Sequence, residues 1–121
     1  MFGGSGAMVK KEEKEIEADQ VEQVVKLLHL ARKAGKLQFG FDACERLCFA
    51  QKAEMLIIAS DLQDNTYQKV NKMAVDSNTP VFRLSTKTEL GREFRIRDVG
   101  VICLYDRNFS DGIKRIINRE V

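Results

Sequence analysis

Read from the amino end, the apolar residues first fall into a rhythm at Val21. Val21, Val24, Val25, Leu28 and Ala31 recur at helical spacing, with Lys26, Arg32 and Lys33 elsewhere on the wheel. Gly35 stands where a left-handed helix stop is wanted, and a short extended piece, Lys36-Leu37-Gln38-Phe39, leads to Gly40. A second helix is predicted from Phe41 to about Gln51, burying Phe41, Cys44, Leu47 and Cys48. Met55-Leu56-Ile57-Ile58-Ala59 is an unbroken apolar run of strand length, which predicts a strand covered on both faces. Asp61, Asp64 and Asn65 offer caps for a third helix with Tyr67, Val70, Met73 and Ala74 on its buried side, broken by Asn78-Thr79-Pro80. Val81-Phe82-Arg83-Leu84 predicts the next strand. Thr86 and Glu89 have capping-box spacing for a short helix ending near Phe94, and Val99 to Tyr105 predicts a further buried strand. Asn108 or Ser110 is expected to cap the last helix, whose Ile113, Ile116 and Ile117 face inward.

Strands alternating with helices through short connections give an α/β fold. The expected architecture is a three-layer α-β-α sandwich around a small mixed sheet of about four strands. Residues 21–121 form the expected domain. Residues 1–20 are expected to be a flexible, partly acidic leader, whose Met1 to Ala7 segment has linker composition and no periodicity.

Composition narrows the class. The chain has 121 residues, 44% apolar and 31% charged, which describes a globular domain able to bury one core without staples. No apolar run approaches the roughly 20 residues that span a bilayer, and no secretion signal opens the chain, so no membrane partner is expected and the setting is cytoplasmic. Cys44, Cys48 and Cys103 lie within apolar stretches, and His29 is the lone histidine, embedded in Leu27-Leu28-His29-Leu30. Without a second chelating pair these four read as core residues, leaving no expected metal, cofactor or Cys-His nucleophile.

Charge adds an asymmetry. Residues 10–22 hold three basic side chains against six acidic ones, a net of −3, whereas from residue 23 onward 17 Lys and Arg face 12 Asp and Glu, a net of +5. A basic body suggests a polyanionic partner.

Several positions are candidates for that contact. Gly35 to Gly40 lacks the Gly-Lys-Ser/Thr ending of a phosphate-binding P-loop. Gly40, however, directly precedes a helix start, where free backbone N–H groups and the positive dipole end meet anions. Asp42 and Arg46, four residues apart, share one helical face, either as an exposed ion pair or as a carboxylate and guanidinium available to a base and a phosphate. Ser60 and Asp61 close the first major strand, where open α/β sheets present ligands. A receiver-like phosphoacceptor reading of Asp61 lacks the acidic pair that would hold magnesium. Gly91-Arg92-Glu93-Phe94-Arg95-Ile96-Arg97-Asp98 interleaves three arginines with apolar residues in a loop, a pattern suited to unstacked bases of structured RNA.

Taken together, Leu28-His29-Leu30-Ala31-Arg32-Lys33-Ala34-Gly35-Lys36-Leu37, then Gly40, Ala53 to Asp61, Leu90-Gly91 and the strand Val99 to Leu104 resemble the ribosomal protein L7Ae/L30e family, most closely its bacterial branch. The resemblance covers roughly residues 21–118. It implies an α-β-α sandwich that binds kink-turns, sharply bent RNA helices with sheared G·A pairs, as a non-catalytic, ribosome-associated monomer. The family's kink-turn binders open the second helix with Gly-x-Asn-Glu-x-x-Lys. Gly40, Asp42, Ala43 and Arg46 occupy the matching positions, so glycine and positive charge are kept while an acceptor-only carboxylate and an apolar methyl replace Asn and Glu. Arg95, Ile96 and Arg97 match the family's base-contacting loop, and Ser60-Asp61 its loop after the strand. The implied RNA contacts are therefore Lys36, Gly40, Asp42, Arg46, Ser60, Asp61, Arg92, Arg95, Ile96 and Arg97, converging on one edge, with Lys36 and the arginines neutralising phosphates. Similar sandwiches also resemble the substrate-recognition domain of some RNA methyltransferases, but this chain is expected to lack room for a cofactor-binding domain. The other rival is a protein-interaction module.

Overall fold

Alternation inside the apolar runs decides which helices cover which face of the sheet. The computed structural model describes residues 13–118, ordered as β1 (Glu13–Glu15), α1 (Ala18–Lys33), β2 (Leu37–Phe39), α2 (Phe41–Phe49), β3 (Met55–Ile58), α3 (Asp64–Ser77), β4 (Val81–Arg83), α4 (Lys87–Phe94), β5 (Val101–Leu104) and α5 (Arg107–Ile117). Met55 and Ile57 of β3, Phe82 of β4, and Ile102 and Leu104 of β5 point to one face, where they pack with Val24 and Leu28 of α1, Leu90 and Phe94 of α4, and Ile113 and Ile117 of α5. Leu56, Ile58, Val81, Val101 and Cys103 point to the other, against Cys44 and Cys48 of α2 and Val70, Met73 and Ala74 of α3. The result is the expected three-layer sandwich.

The sheet has the order β1-β4-β3-β5-β2. β1, β4 and β3 run parallel, while β5 is antiparallel to both β3 and β2. The four expected strands are β2 to β5. β1 is an addition: its backbone pairs with Val81 to Arg83, and Ile16 just after it donates its N–H to the Arg83 carbonyl and is buried in the core. The acidic stretch thus reaches into the sheet from residue 13. Residues 1–12, the rest of the expected leader, lie outside the described residues.

Helix termini account for most departures from expectation. α1 begins at Ala18, three residues before the apolar rhythm, because Glu17 and Gln20 form a reciprocal capping box. Gln20 also donates to the Ile116 and Ile117 carbonyls at the end of α5. Gly35 takes the expected left-handed φ of 71°. Thr86 and Glu89 form the expected capping box on α4. The cap of α5 is neither Asn108 nor Ser110 but Asp106, whose carboxylate accepts from the Phe109 N–H at 3.0 Å. Gln63 occupies the N-cap of α3, so Asp61 and Asn65 do not cap it. His29 is no core residue: α1 turns Leu28 fully inward and leaves His29 half-exposed, its Nε2 2.8 Å from Glu93 and its ring 4.7 Å from that of Phe94.

Candidate functional site

Because β5 runs against its neighbours, the last residues of β2, β3 and β4 and the first of β5 share one end of the sheet. The chain leaves that end through four connections, and between them lies an open groove of 610 Å³. Phe39, Gly40 and Phe41 form one wall, Leu62, Gln63 and Thr66 a second, and Lys87 with Ile96 to Val101 the third. Apolar Phe39, Phe41, Leu62, Ile96, Val99 and Val101 share its lining with polar Gln63, Thr66, Lys87, Arg97 and Asp98, the usual mixture of a ligand site.

Each wall is positioned by a specific local device. Gly40 has φ 97° and ψ 153°, a conformation that costs an L side chain on the order of 1–3 kcal/mol, and this turn lets β2 run straight into α2. Its N–H is held by the Val101 carbonyl at 2.9 Å. The N–H groups of Phe41, Asp42 and Ala43 precede the first intrahelical bond, from Cys44 to the Gly40 carbonyl, and have no acceptor inside the helix. The third wall depends on Gly91. A Cβ there would lie 2.6 Å from the Arg97 carbonyl oxygen, so only glycine lets the 95–98 loop lie down on α4. The Ile96 N–H then bonds the Gly91 carbonyl, and the Thr88 hydroxyl donates to Asp98.

Ser60 and Asp61 work behind the groove. Both the N–H and the hydroxyl of Ser60 donate to the Ser85 carbonyl, and Asp61 accepts from the Lys87 N–H at 2.9 Å. These bonds tie the β3–α3 connection to the β4–α4 connection and so set the position of Lys87. One oxygen of the Asp61 carboxylate is engaged in that tie.

The structure brings Gly40, Ile96 and Arg97 onto the groove, with Ser60 and Asp61 bracing it. Asp42 and Arg46 are exposed on the outward side of α2, with no bond between them among the described residues. Arg95 adopts φ 58° as the C-cap of α4, and that turn sends it away from Arg97. Arg92 and Arg95 line a separate hollow between α1 and α4, with Val21, Val25, Glu89 and Glu93. Lys36, ahead of β2, sits at the opposite end of the sheet. Lys87, Leu62, Phe41 and Thr66 line the groove without having been singled out by the sequence. Lys87 alone carried a signal, as the first residue after a clear cap.

Lys87 and Arg97 line the groove together with Asp98, and Asp61 accepts from the Lys87 N–H behind it. Behind it, Arg32 stacks 5.1 Å over the Phe39 ring and donates to the Phe94 carbonyl, fastening α1 to β2 and α4. Beneath α2, the hydrogen bond between the Cys44 and Cys103 thiols, together with burial, pushes Cys44 far above the ordinary thiol range. Burial pushes Cys48 up as well, against hydrogen bonds from Ser77 and Thr79. Both thiols stay protonated near neutrality and act as small apolar groups. Among the described residues, no three His, Cys, Asp or Glu side chains gather as a metal site, and no helix is long and apolar enough to cross a membrane.

Residues 22–110 match the model of the ribosomal protein L7Ae/L30e/S12e/Gadd45 family, a span that includes every wall of the groove. The chain belongs to this family. Solved structures agree on the fold of this L7Ae-type domain. A protein of unknown function from Bacillus halodurans superposes with a TM-score of 0.73 at 24% identity, covering 79% of this chain and 97% of that one. The Giardia lamblia 15.5kD RNA binding protein does so at 0.70 and 17% identity, covering 85% and 88%. No curated protein matches the chain. The family match ends at Ser110, so the basic second half of α5, with Lys114 and Arg115, lies beyond it.

Proposed function

We propose that this L7Ae-type chain is a non-catalytic, ribosomal-type protein that binds structured, kink-turn-like RNA in the groove at the Gly40 end of the sheet. One observation carries the reading. Unclaimed N–H groups at the start of α2, an apolar wall at Ile96 and Leu62, and the cations Lys87 and Arg97 meet on a single groove. Those are the parts that a bent RNA with an unstacked base requires: donors for phosphate, an apolar face for a base, and cations flanking both. Family membership and the RNA-binding name of the Giardia neighbour support it. Association with the ribosome and a cytoplasmic setting are part of the same proposal.

Asp42 and Ala43 tune which bend is taken. A carboxylate accepts from a base amine but cannot donate, and a methyl does neither. Fluorescence anisotropy on two RNAs with the same arms, one kinked and one straight, tests the reading. Kinked RNA is expected to bind at least ~10-fold tighter, and Ile96→Ala to erase most of that margin. Equal affinity for both RNAs rejects the groove as an RNA site. Asp42→Asn combined with Ala43→Glu is expected to tighten binding to a standard kink-turn by about 10-fold or more, since each good base pairing is worth about 1–3 kcal/mol. No gain means that another RNA shape is the ligand.

A further inference from the structure

The opposite end of the sheet gathers four exposed cations. Three segments lie side by side there. The Tyr105 N–H bonds the Lys36 carbonyl at 3.1 Å, the Glu54 N–H bonds the Leu104 carbonyl at 2.8 Å, and the Tyr105 hydroxyl donates to the Gly35 carbonyl. Adjacent strands are about 4.8 Å apart, so the backbones at Lys36, Tyr105 and Glu54 span about 10 Å. On these segments Lys33, Lys36, Lys52 and Arg107 are all exposed, and none of their side chains has a hydrogen bond or ion pair among the described residues. The carboxylates nearby do not cancel them. Asp106 is half-buried and spent on the cap of α5, Glu54 is half-buried, and Asp76 is paired with Lys72 at 3.0 Å.

We infer that this end, formed by Lys33, Lys36, Lys52 and Arg107, is a second RNA-contacting surface that holds the phosphate backbone of an RNA segment separate from the one in the groove. The inference rests on the RNA-binding reading of the groove only for the identity of the first ligand. Recognition here is by charge alone. The four named side chains are all exposed cations, which match phosphate oxygens rather than base edges. Lysines and an arginine on an open surface suit a phosphate backbone, whose spacing tolerates mobile side chains. The two ends lie about 16 Å apart along β3, counted from Glu54 to Ala59. The domain then acts as a spacer between two RNA segments.

A capture assay tests this. Kinked RNA is immobilised, the full-length protein is added, and a labelled straight duplex is offered. The duplex is expected to be retained only when protein is present, and a Lys36→Gln/Lys52→Gln/Arg107→Gln variant is expected to lose at least ~10-fold of that signal while keeping its affinity for the kinked RNA. Direct titration of the duplex alone reads the same surface without the groove. Its log K against log salt should flatten by about 2–3 in the triple variant, at about 0.9 per phosphate released. Unchanged slope and unchanged capture overturn the inference. Duplex binding that persists when kinked RNA fails to bind leaves this surface standing and rejects the groove instead. Displacement of the duplex by a polyglutamate peptide, at equal charge and with equal salt slope, assigns the surface to acidic protein and overturns it.

Discussion

The two ends of the sheet invert the usual association between a cavity and its charge. At the Gly40 end there is a groove with much apolar lining, where Lys87 and Arg97 share the wall with Asp98. At the Lys36 end four exposed cations gather, their side chains without carboxylate partners among the described residues. On the reading proposed above, shape, backbone donors and one or two cations would carry the groove, and counterion release would belong to the far end. Each half is then open to independent disruption.

The largest disruption comes from a single methyl group. Gly91→Ala places a Cβ 2.6 Å from the Arg97 carbonyl oxygen, a contact that backbone must move to relieve. Gly91 is itself buried between Leu90 and Phe94, so the cost to folding is expected to be about 1–3 kcal/mol, the range for overpacking a core. Affinity for kinked RNA is expected to fall at least ~10-fold, since the 95–98 wall shifts. Binding of straight duplex at the far end should stay within about twofold. Urea unfolding and the two titrations check the three parts. A variant that folds less well yet keeps its preference for kinked RNA would show that this wall does not select the ligand.

Much of this frame was readable from sequence, and the exceptions share a cause. Strands β3 and β5 announce themselves because both faces are covered and nearly every position is apolar. β1 carries no such mark. Glu13-Lys14-Glu15 sits on a sheet edge, where charged side chains are favoured and the backbone ladder to β4 supplies the pairing. Ile16 was its one apolar signal. His29 lies in an apolar string, but helical geometry turns Leu28 inward and leaves Leu30 53% exposed, so the string was never a uniform core segment. Asp106 was hidden by its position immediately after a strand, with two better-known caps following it. The groove was legible in part. Gly40 and Ile96-Arg97 stand out by residue type, whereas Lys87 and Leu62 arrive through the ties between loops, which no local pattern encodes.

The arginine loop shows how far a one-residue conformation redirects chemistry. In the sequence Arg95 and Arg97 are equivalent flanks of Ile96, but the left-handed turn at Arg95 sends them to different hollows. Arg97→Ala is expected to weaken kinked-RNA binding by about 1.5 kcal/mol, the low end for a charge-assisted hydrogen bond, and to lower its salt slope by about 0.9. Arg95→Ala should leave affinity within about twofold. Equal losses from the two variants would place both arginines on one RNA and merge the hollows into a single surface.

The smallest effect is a pH dependence confined to the groove side of the sheet. Cys44 lies in the first turn of α2, its N–H bonded to the Gly40 carbonyl, and its thiol is held protonated by the Cys103 thiol and by burial. An unfolded chain ionises that thiol as pH passes its ordinary 9.0, while the folded chain does not, so the unfolded state loses a proton and gains the advantage. Stability from this group is therefore complete below pH 9.0 and declines above it, by about 0.8 kcal/mol between pH 8 and 9.5 and by up to ~1.4 kcal/mol per unit beyond. Duplex binding at the Lys36 end should hold across that window while the seat of α2 loosens. Urea midpoints of the parent and of Cys44→Ala at both pH values isolate the contribution: the variant is less stable throughout, from its cavity, but its midpoint should change less with pH. Parallel lines for the two proteins would mean that Cys44 ionises as freely in the folded state as in the unfolded one, and the groove side would then have no alkaline weakness to set it apart from the cationic end.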